Sequence, residues 1–201
     1  MAEHYFSQQP QSKSSPKTWS YHLNKKLYTF TSDHGVFSKN TVDYGTRLLI
    51  ETFEAPKQYG DLLDLGCGYG PIGICLADHL PDRRVVMADI NERALKLAEE
   101  NAALNHVGNV DFIKSDRFAN VTKHTFAAIL SNPPIRAGKK MVHAMLEESY
   151  HALMDGGELW IVMQKKQGAP SAKEKLQTVF GFGNVDIIAR SKGYYILRSK
   201  K

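Results

Sequence analysis

From residue 58 onward, short apolar runs that read as strands alternate with longer runs of helical period, and this restricts the chain to an α/β layout. The strand-like runs fall at residues 62–65, 84–88, 110–114, 126–130 and 159–163, and the helical runs follow Gly70 and cover 92–105, 139–153 and 172–180. A helix between successive strands makes the neighbours parallel, with right-handed crossovers and helices on both faces of the sheet. The pattern then changes. Runs at 185–190 and 194–199 are separated only by Ser191-Lys192-Gly193, too short for a crossover helix, so they are predicted to close the sheet as an antiparallel hairpin. Ahead of the alternation, an extended piece at 27–31, a turn at 32–35 and an amphipathic helix at 40–53 are expected.

With 201 residues there is enough chain for one sizeable α/β core and too little for two ordinary domains, so the expected organisation is a polar extension over 1–24 and a single domain over 25–201. Residues 1–18, rich in Ser, Gln, Lys and Pro, are expected to be mostly loop. No run approaches the roughly 18 apolar residues of a membrane span, and the first 16 residues are polar where a secretory signal would carry its apolar block, which predicts a cytosolic protein without a membrane partner. Two cysteines, Cys67 and Cys75, are too few for a disulfide framework, and eight scattered histidines lack zinc-site spacing, so no metal is expected. From residue 162 to the end there are nine Lys/Arg against two acids. Such a basic segment suits an anionic partner such as RNA, and equally suits a plain solvated surface.

Three places carry the chemistry. Residues 61–70 read Asp-Leu-Leu-Asp-Leu-Gly-Cys-Gly-Tyr-Gly. The buried run must bend sharply into a helix, and Gly66, Gly68 and Gly70 allow backbone angles and close ligand approach that a Cβ would obstruct. Asp89 closes the next strand, nineteen residues after Gly70, near the usual separation for a carboxylate that accepts the ribose hydroxyls of an adenosine cofactor. A competing reading makes Asp89 a cap of the following helix, although Asn91 is itself a good cap. Ser131-Asn132-Pro133-Pro134 ends the fourth strand, at the carboxyl edge where open α/β sheets bind ligands, and the prolines stiffen the turn that holds the amide.

The glycine spacing, with Asp64 two residues ahead of the first glycine, resembles motif I of the class I methyltransferases more closely than the nicotinamide fingerprint. Together with Thr-Ser-Asp-His-Gly-Val-Phe-Ser at 31–38, Asp89 and Ser-Asn-Pro-Pro-Ile-Arg-Ala-Gly-Lys at 131–139, the chain over about 25–200 resembles the RsmC-type family of small-subunit ribosomal RNA guanine-N2 methyltransferases, specifically its single-domain bacterial members. The resemblance implies a Rossmann-like class I methyltransferase fold with a mostly parallel seven-stranded sheet, S-adenosylmethionine as cofactor, and 16S ribosomal RNA or the small ribosomal subunit as partner. It implies cofactor contacts from Gly35, Phe37 and Ser38 folding over the pocket, from Asp64, Gly66, Cys67, Gly68 and Gly70, from Asp89 and Ile90, from Asp116 toward adenine with Arg117 and Phe118 flanking the ring, and from Asn132. In the reaction it implies, Asn132 and the Pro133 carbonyl accept the two N–H bonds of an exocyclic amine so that its lone pair faces the methyl donor, with Pro134 holding the corner rigid.

One departure stands out. Many amino-methylating enzymes place an aromatic residue after Asn-Pro-Pro to stack on the base, whereas here Ile135 and Arg136 follow, with Lys139 beyond them as a further substrate contact. Either the Arg136 guanidinium or an aromatic ring elsewhere, such as Phe37, would supply the stacking plane. A protein glutamine amide or an adenine N6 as acceptor, and a non-catalytic cofactor- and RNA-binding module, are the competing readings.

Overall fold

The computed structural model describes residues 13–38, 41–121 and 125–201. A two-stranded antiparallel hairpin, β1 (Lys17–Leu23) and β2 (Lys26–Ser32), precedes α1 (Tyr44–Thr52). The remainder is β3 (Leu62–Leu65), α2 (Pro71–His79), β4 (Val85–Asp89), α3 (Glu92–Leu104), β5 (Val110–Lys114), β6 (Phe126–Ser131), α4 (Lys139–Ala152), β7 (Leu153–Gln164), α5 (Ala169–Phe180), β8 (Val185–Ser191) and β9 (Tyr194–Lys200). The sheet runs β5-β4-β3-β6-β7-β9-β8, with β3 to β7 parallel and β9 antiparallel between β7 and β8. This is the class I methyltransferase arrangement, seven strands closed by an antiparallel hairpin.

Every residue of β3 and β6 is buried, which is why both are apolar nearly throughout rather than alternating, with Asp64 and Ser131 their polar members. Successive side chains feed opposite cores. Leu62, Val85 and Met87 join α1, α2 and α3 on one face, while Leu63, Val86 and Ile129 join α4 and α5 on the other. Strand order reverses between β3 and β6, so a crevice opens beside their carboxyl ends.

Four elements differ from the sequence reading. β1 lies partly within the stretch read as loop; its Trp19 and Tyr21 pack on the core while the intervening residues stay polar, and a tight turn with Asn24 and Lys25 in the left-handed region joins it to β2. α1 starts at Tyr44 because Asp43 caps it, accepting from the Gly45 and Thr46 amides at 2.9 and 3.2 Å; the expected start at Asn40 lies outside the described residues. β7 begins at Leu153, six residues ahead of the run expected at 159–163. The register slips between Phe126 and Ala128, and Gly156 and Gly157 exchange backbone hydrogen bonds with Lys201, so this stretch is a bulge within a continuing strand. α5 begins at Ala169, with Pro170 in its first turn, where a proline costs no hydrogen bond.

The hairpin docks on α3 through two asparagines one turn apart. Asn101 Oδ1 accepts from the Thr31 amide and its Nδ2 donates to the Thr31 carbonyl; Asn105 makes the same pair of bonds with Thr29, all at 2.7–2.9 Å. Asn101 also donates to the Tyr69 carbonyl, tying helix, hairpin and glycine bend together. Among the described residues no helix is long and apolar enough to cross a membrane.

Candidate active site

The crevice at the carboxyl ends of β3, β4 and β6 is lined by the glycine bend, the ends of β4 and β5, the corner after β6, residues 37 and 38, and the first turn of α1. At the bend, Gly66 and Gly68 lie in the left-handed region, at φ 75° and 58°, and a Cβ built on either meets nothing within 4 Å. The backbone is thereby bare toward the crevice, a cradle that side chains would fill. Gly70 has a different reason: at φ 96° its Cβ would strike Met87 and Ile74 at 2.8 and 2.9 Å, so it is required for packing α2 onto the sheet.

Asp64 sits behind this bend, fully buried, with Oδ2 accepting from the Gly73 amide at 2.8 Å and Oδ1 without a partner. Burial, with Asp89 adding like charge, pushes its carboxyl up to about 7. Asp89 faces the crevice, accepting from the Gly68 amide at 2.8 Å and the Asn91 amide at 2.9 Å. The cap of α3 is Asn91, which accepts from Arg93 and Ala94 and donates to the Gly35 carbonyl at 3.0 Å. Asp89 is therefore not the helix cap. Burial raises its pKa despite its backbone hydrogen bonds, and burial with the two neighbouring carboxylates raises that of Cys67.

At the corner, the Ser131 hydroxyl donates to the Leu65 carbonyl at 2.7 Å, fastening the end of β6 to the end of β3. Asn132 follows. Its Nδ2 donates to Thr46 Oγ1 at 2.9 Å and to Asp43 Oδ2 at 3.3 Å. A carboxylate can only accept, so it draws the amide nitrogen toward α1 and turns the amide oxygen the other way. The oxygen has no donor among the described residues. The Pro133 carbonyl, expected as the second acceptor, already accepts from the Ile135 amide at 2.9 Å and keeps one lone pair.

Of the residues expected at the site, Phe37, Ser38, Gly66, Cys67, Gly68, Asp89, Ile90, Asp116, Arg117, Asn132, Pro133 and Pro134 line this one crevice. Gly35, Asp64, Gly70, Phe118, Ile135, Arg136 and Lys139 do not. Gly35 supports the wall through Asn91, Phe118 is buried in the α4–α5 core, and Ile135 packs against that core while Arg136 and Lys139 are exposed. Arg117 is held by Glu148, with both carboxylate oxygens at 3.0–3.1 Å of its Nε, and Glu148 raises its pKa. Asp43 and Thr46 line the crevice without having been singled out by the sequence, although Asp-Tyr-Gly-Thr ahead of an apolar helix carries a capping signal.

A family model described as methyltransferase small domain matches residues 27–198. A Bacillus subtilis protein named Uncharacterized protein YbxB is 56% identical over the whole of both chains. Ribosomal RNA small subunit methyltransferase C of Vibrio cholerae is 32% identical over 86% of this chain and 49% of its own, so the chain spans about half the length of that relative. The solved structure of the T. thermophilus 16S rRNA N2 G1207 methyltransferase (RsmC), in complex with AdoMet and guanosine, superposes with a TM-score of 0.80 at 22% identity, over 96% of this chain and 52% of that one.

Proposed function

The chain belongs to the methyltransferase small domain family, and from that premise we propose that it is an S-adenosylmethionine-dependent enzyme that methylates the exocyclic N2 amine of a guanine in 16S ribosomal RNA. The observation that carries this reading is the Asn132 amide, held by Asp43 and Thr46 with its oxygen free, in the same crevice as the bare Gly66–Gly68 backbone and Asp89. RsmC relatives at about 30% identity add the nucleic-acid substrate class.

The residues present fit the cofactor. Gly66 and Gly68 offer main chain without Cβ atoms, Asp89 offers a carboxylate for ribose hydroxyls, and Asp116 with Ile90 would border the adenine. Bound there, S-adenosylmethionine supplies an electrophilic methyl on sulfur. An exocyclic guanine amine is a poor nucleophile because its lone pair is delocalised into the ring. Asn132 Oδ1 and the free lone pair of the Pro133 carbonyl accept its two N–H bonds, which favours the pyramidal nitrogen over the planar one and fixes the direction of the lone pair. No side chain need remove a proton first, since the nitrogen becomes acidic only once alkylated. The stacking plane falls to Phe37, which lines the crevice and is 41% exposed, because Ile135 and Arg136 do not line it.

The test is to incubate the protein with methyl-labelled S-adenosylmethionine and small ribosomal subunits from a strain lacking the enzyme, then identify the labelled nucleoside by mass spectrometry. N2-methylguanosine is the expected product. Label on a protein glutamine or on adenine N6, with none on guanine, refutes the assignment.

A further inference from the structure

The antiparallel hairpin that closes the sheet brings its tip to the same edge as Asn132, because Tyr194 at the start of β9 pairs with Gln164 at the carboxyl end of parallel β7. That edge carries exposed cations on the loop after β7 and on the hairpin. Lys165 and Lys166 follow β7, Arg190 stands at the end of β8 and Lys192 in the turn itself, and the Lys165 amide donates to the Gly193 carbonyl at 2.8 Å, binding loop and hairpin together. None of the four has a carboxylate partner among the described residues, whereas Arg198, farther down the same hairpin, is bonded to Asp186 at 2.7 Å.

Aromatic rings separate these charges and join them to the crevice. Lys192 Nζ lies 4.8 Å from the Tyr44 ring centroid, and Tyr44 stands 5.6 Å from Tyr194 and hydrogen-bonds Ser191 at 2.6 Å. Tyr44 directly follows Asp43, the residue that orients Asn132. The Tyr194 ring closes on Gly45, where any Cβ would come within 2.7 Å of it, so the tip is wedged against the helix that holds the amide. Uncompensated cations on a fixed hairpin, interleaved with rings and continuous with the pocket wall, match a nucleic-acid backbone better than a flat anionic surface.

We infer that the tip of the β8–β9 hairpin together with Lys165 and Lys166 grips the RNA phosphates next to the target nucleotide, leaving the base free to enter the crevice. The inference rests on the reading of the chain as an RNA methyltransferase and deepens it. Its test compares the full chain with the K165A/K166A/R190A/K192A variant by fluorescence anisotropy on an unmodified small-subunit RNA fragment across a salt series. A charge-preserving K165R/K166R/K192R variant controls for folding. For single-stranded RNA, every phosphate that is no longer neutralised should make the plot of log affinity against log salt shallower by about 0.7. The alanine variant is expected to bind RNA at least tenfold more weakly at low salt, with a slope shallower by about 2 to 3 and unchanged S-adenosylmethionine affinity, while the arginine variant keeps wild-type binding. Wild-type RNA affinity and slope in the alanine variant, with methylation intact, overturn the inference and leave the proposed function standing. A wild-type chain that binds no RNA and methylates a peptide amide instead overturns both.

Discussion

Thr46 and Asp43 set which end of the Asn132 amide faces the crevice, so removing them should slow methyl transfer without loosening the cofactor. Thr46→Val keeps the volume of a nearly buried side chain and deletes the acceptor at 2.9 Å, a neutral hydrogen bond worth about 0.5–1.5 kcal/mol net. Asp43→Asn keeps a good cap on α1 but replaces an obligate acceptor with a group that can also donate. The bond it weakens has a charged acceptor, for which about 1.5–3 kcal/mol is usual; at 3.3 Å the low end applies. With about 1.4 kcal/mol per factor of ten, kcat should fall two- to tenfold for Thr46→Val, about tenfold for Asp43→Asn and up to about a hundredfold for the double variant. Single-turnover transfer at saturating cofactor and RNA measures the step, calorimetry measures cofactor affinity, and thermal unfolding reports the fold. A double variant with wild-type kcat, or one whose lost rate is matched by an equal loss of cofactor affinity, refutes the orienting role.

Asp64 gives a stability signature in pH. Its carboxyl titrates near 7 in the fold and near the ordinary carboxylate value when unfolded, so the folded chain holds the extra proton and its stability declines as pH rises from about 4 to 7. Asp64→Asn should flatten that decline and raise the melting temperature at pH 8 relative to the parent; a parallel pH profile in both proteins would contradict the assignment. For Asp89→Ala, S-adenosylmethionine affinity measured by calorimetry should drop about ten- to a hundredfold through loss of a charged acceptor, and an unchanged dissociation constant would remove Asp89 from the ribose site.

Strands buried on both faces are the easiest features to read. β3 begins and ends where its mostly apolar run does, and the short connection after Ser191 identifies the closing hairpin. β7 hides its first half because a Gly-Gly bulge in a strand looks locally like a turn, and only the register against β6 and the contact with Lys201 distinguish the two. The same distinction divides the site. Asn132, Asp89 and the glycines announce themselves within ten-residue windows, whereas Asp43 and Thr46 meet Asn132 across 89 and 86 residues of chain, and nothing local ties an α1 cap to a corner after β6. Phe118 and Ile135 each neighbour a crevice residue in sequence yet pack against the core, a difference that chain proximity does not reveal.

The paired asparagines on α3 have a geometric limit. Four residues of helix rise about 6.0 Å, and two residues of strand about 6.6–6.8 Å, so amides at 101 and 105 meet Thr31 and Thr29 nearly in step. A third such amide, another turn along, would miss its backbone partner by well over 1 Å. A helix can thus stand in for a neighbouring strand over two pairs and no farther. Here that occupies the outer rim of β2, the stretch of a two-stranded ribbon most open to pairing with a second molecule, so the ribbon gains a blocked flank from side chains alone.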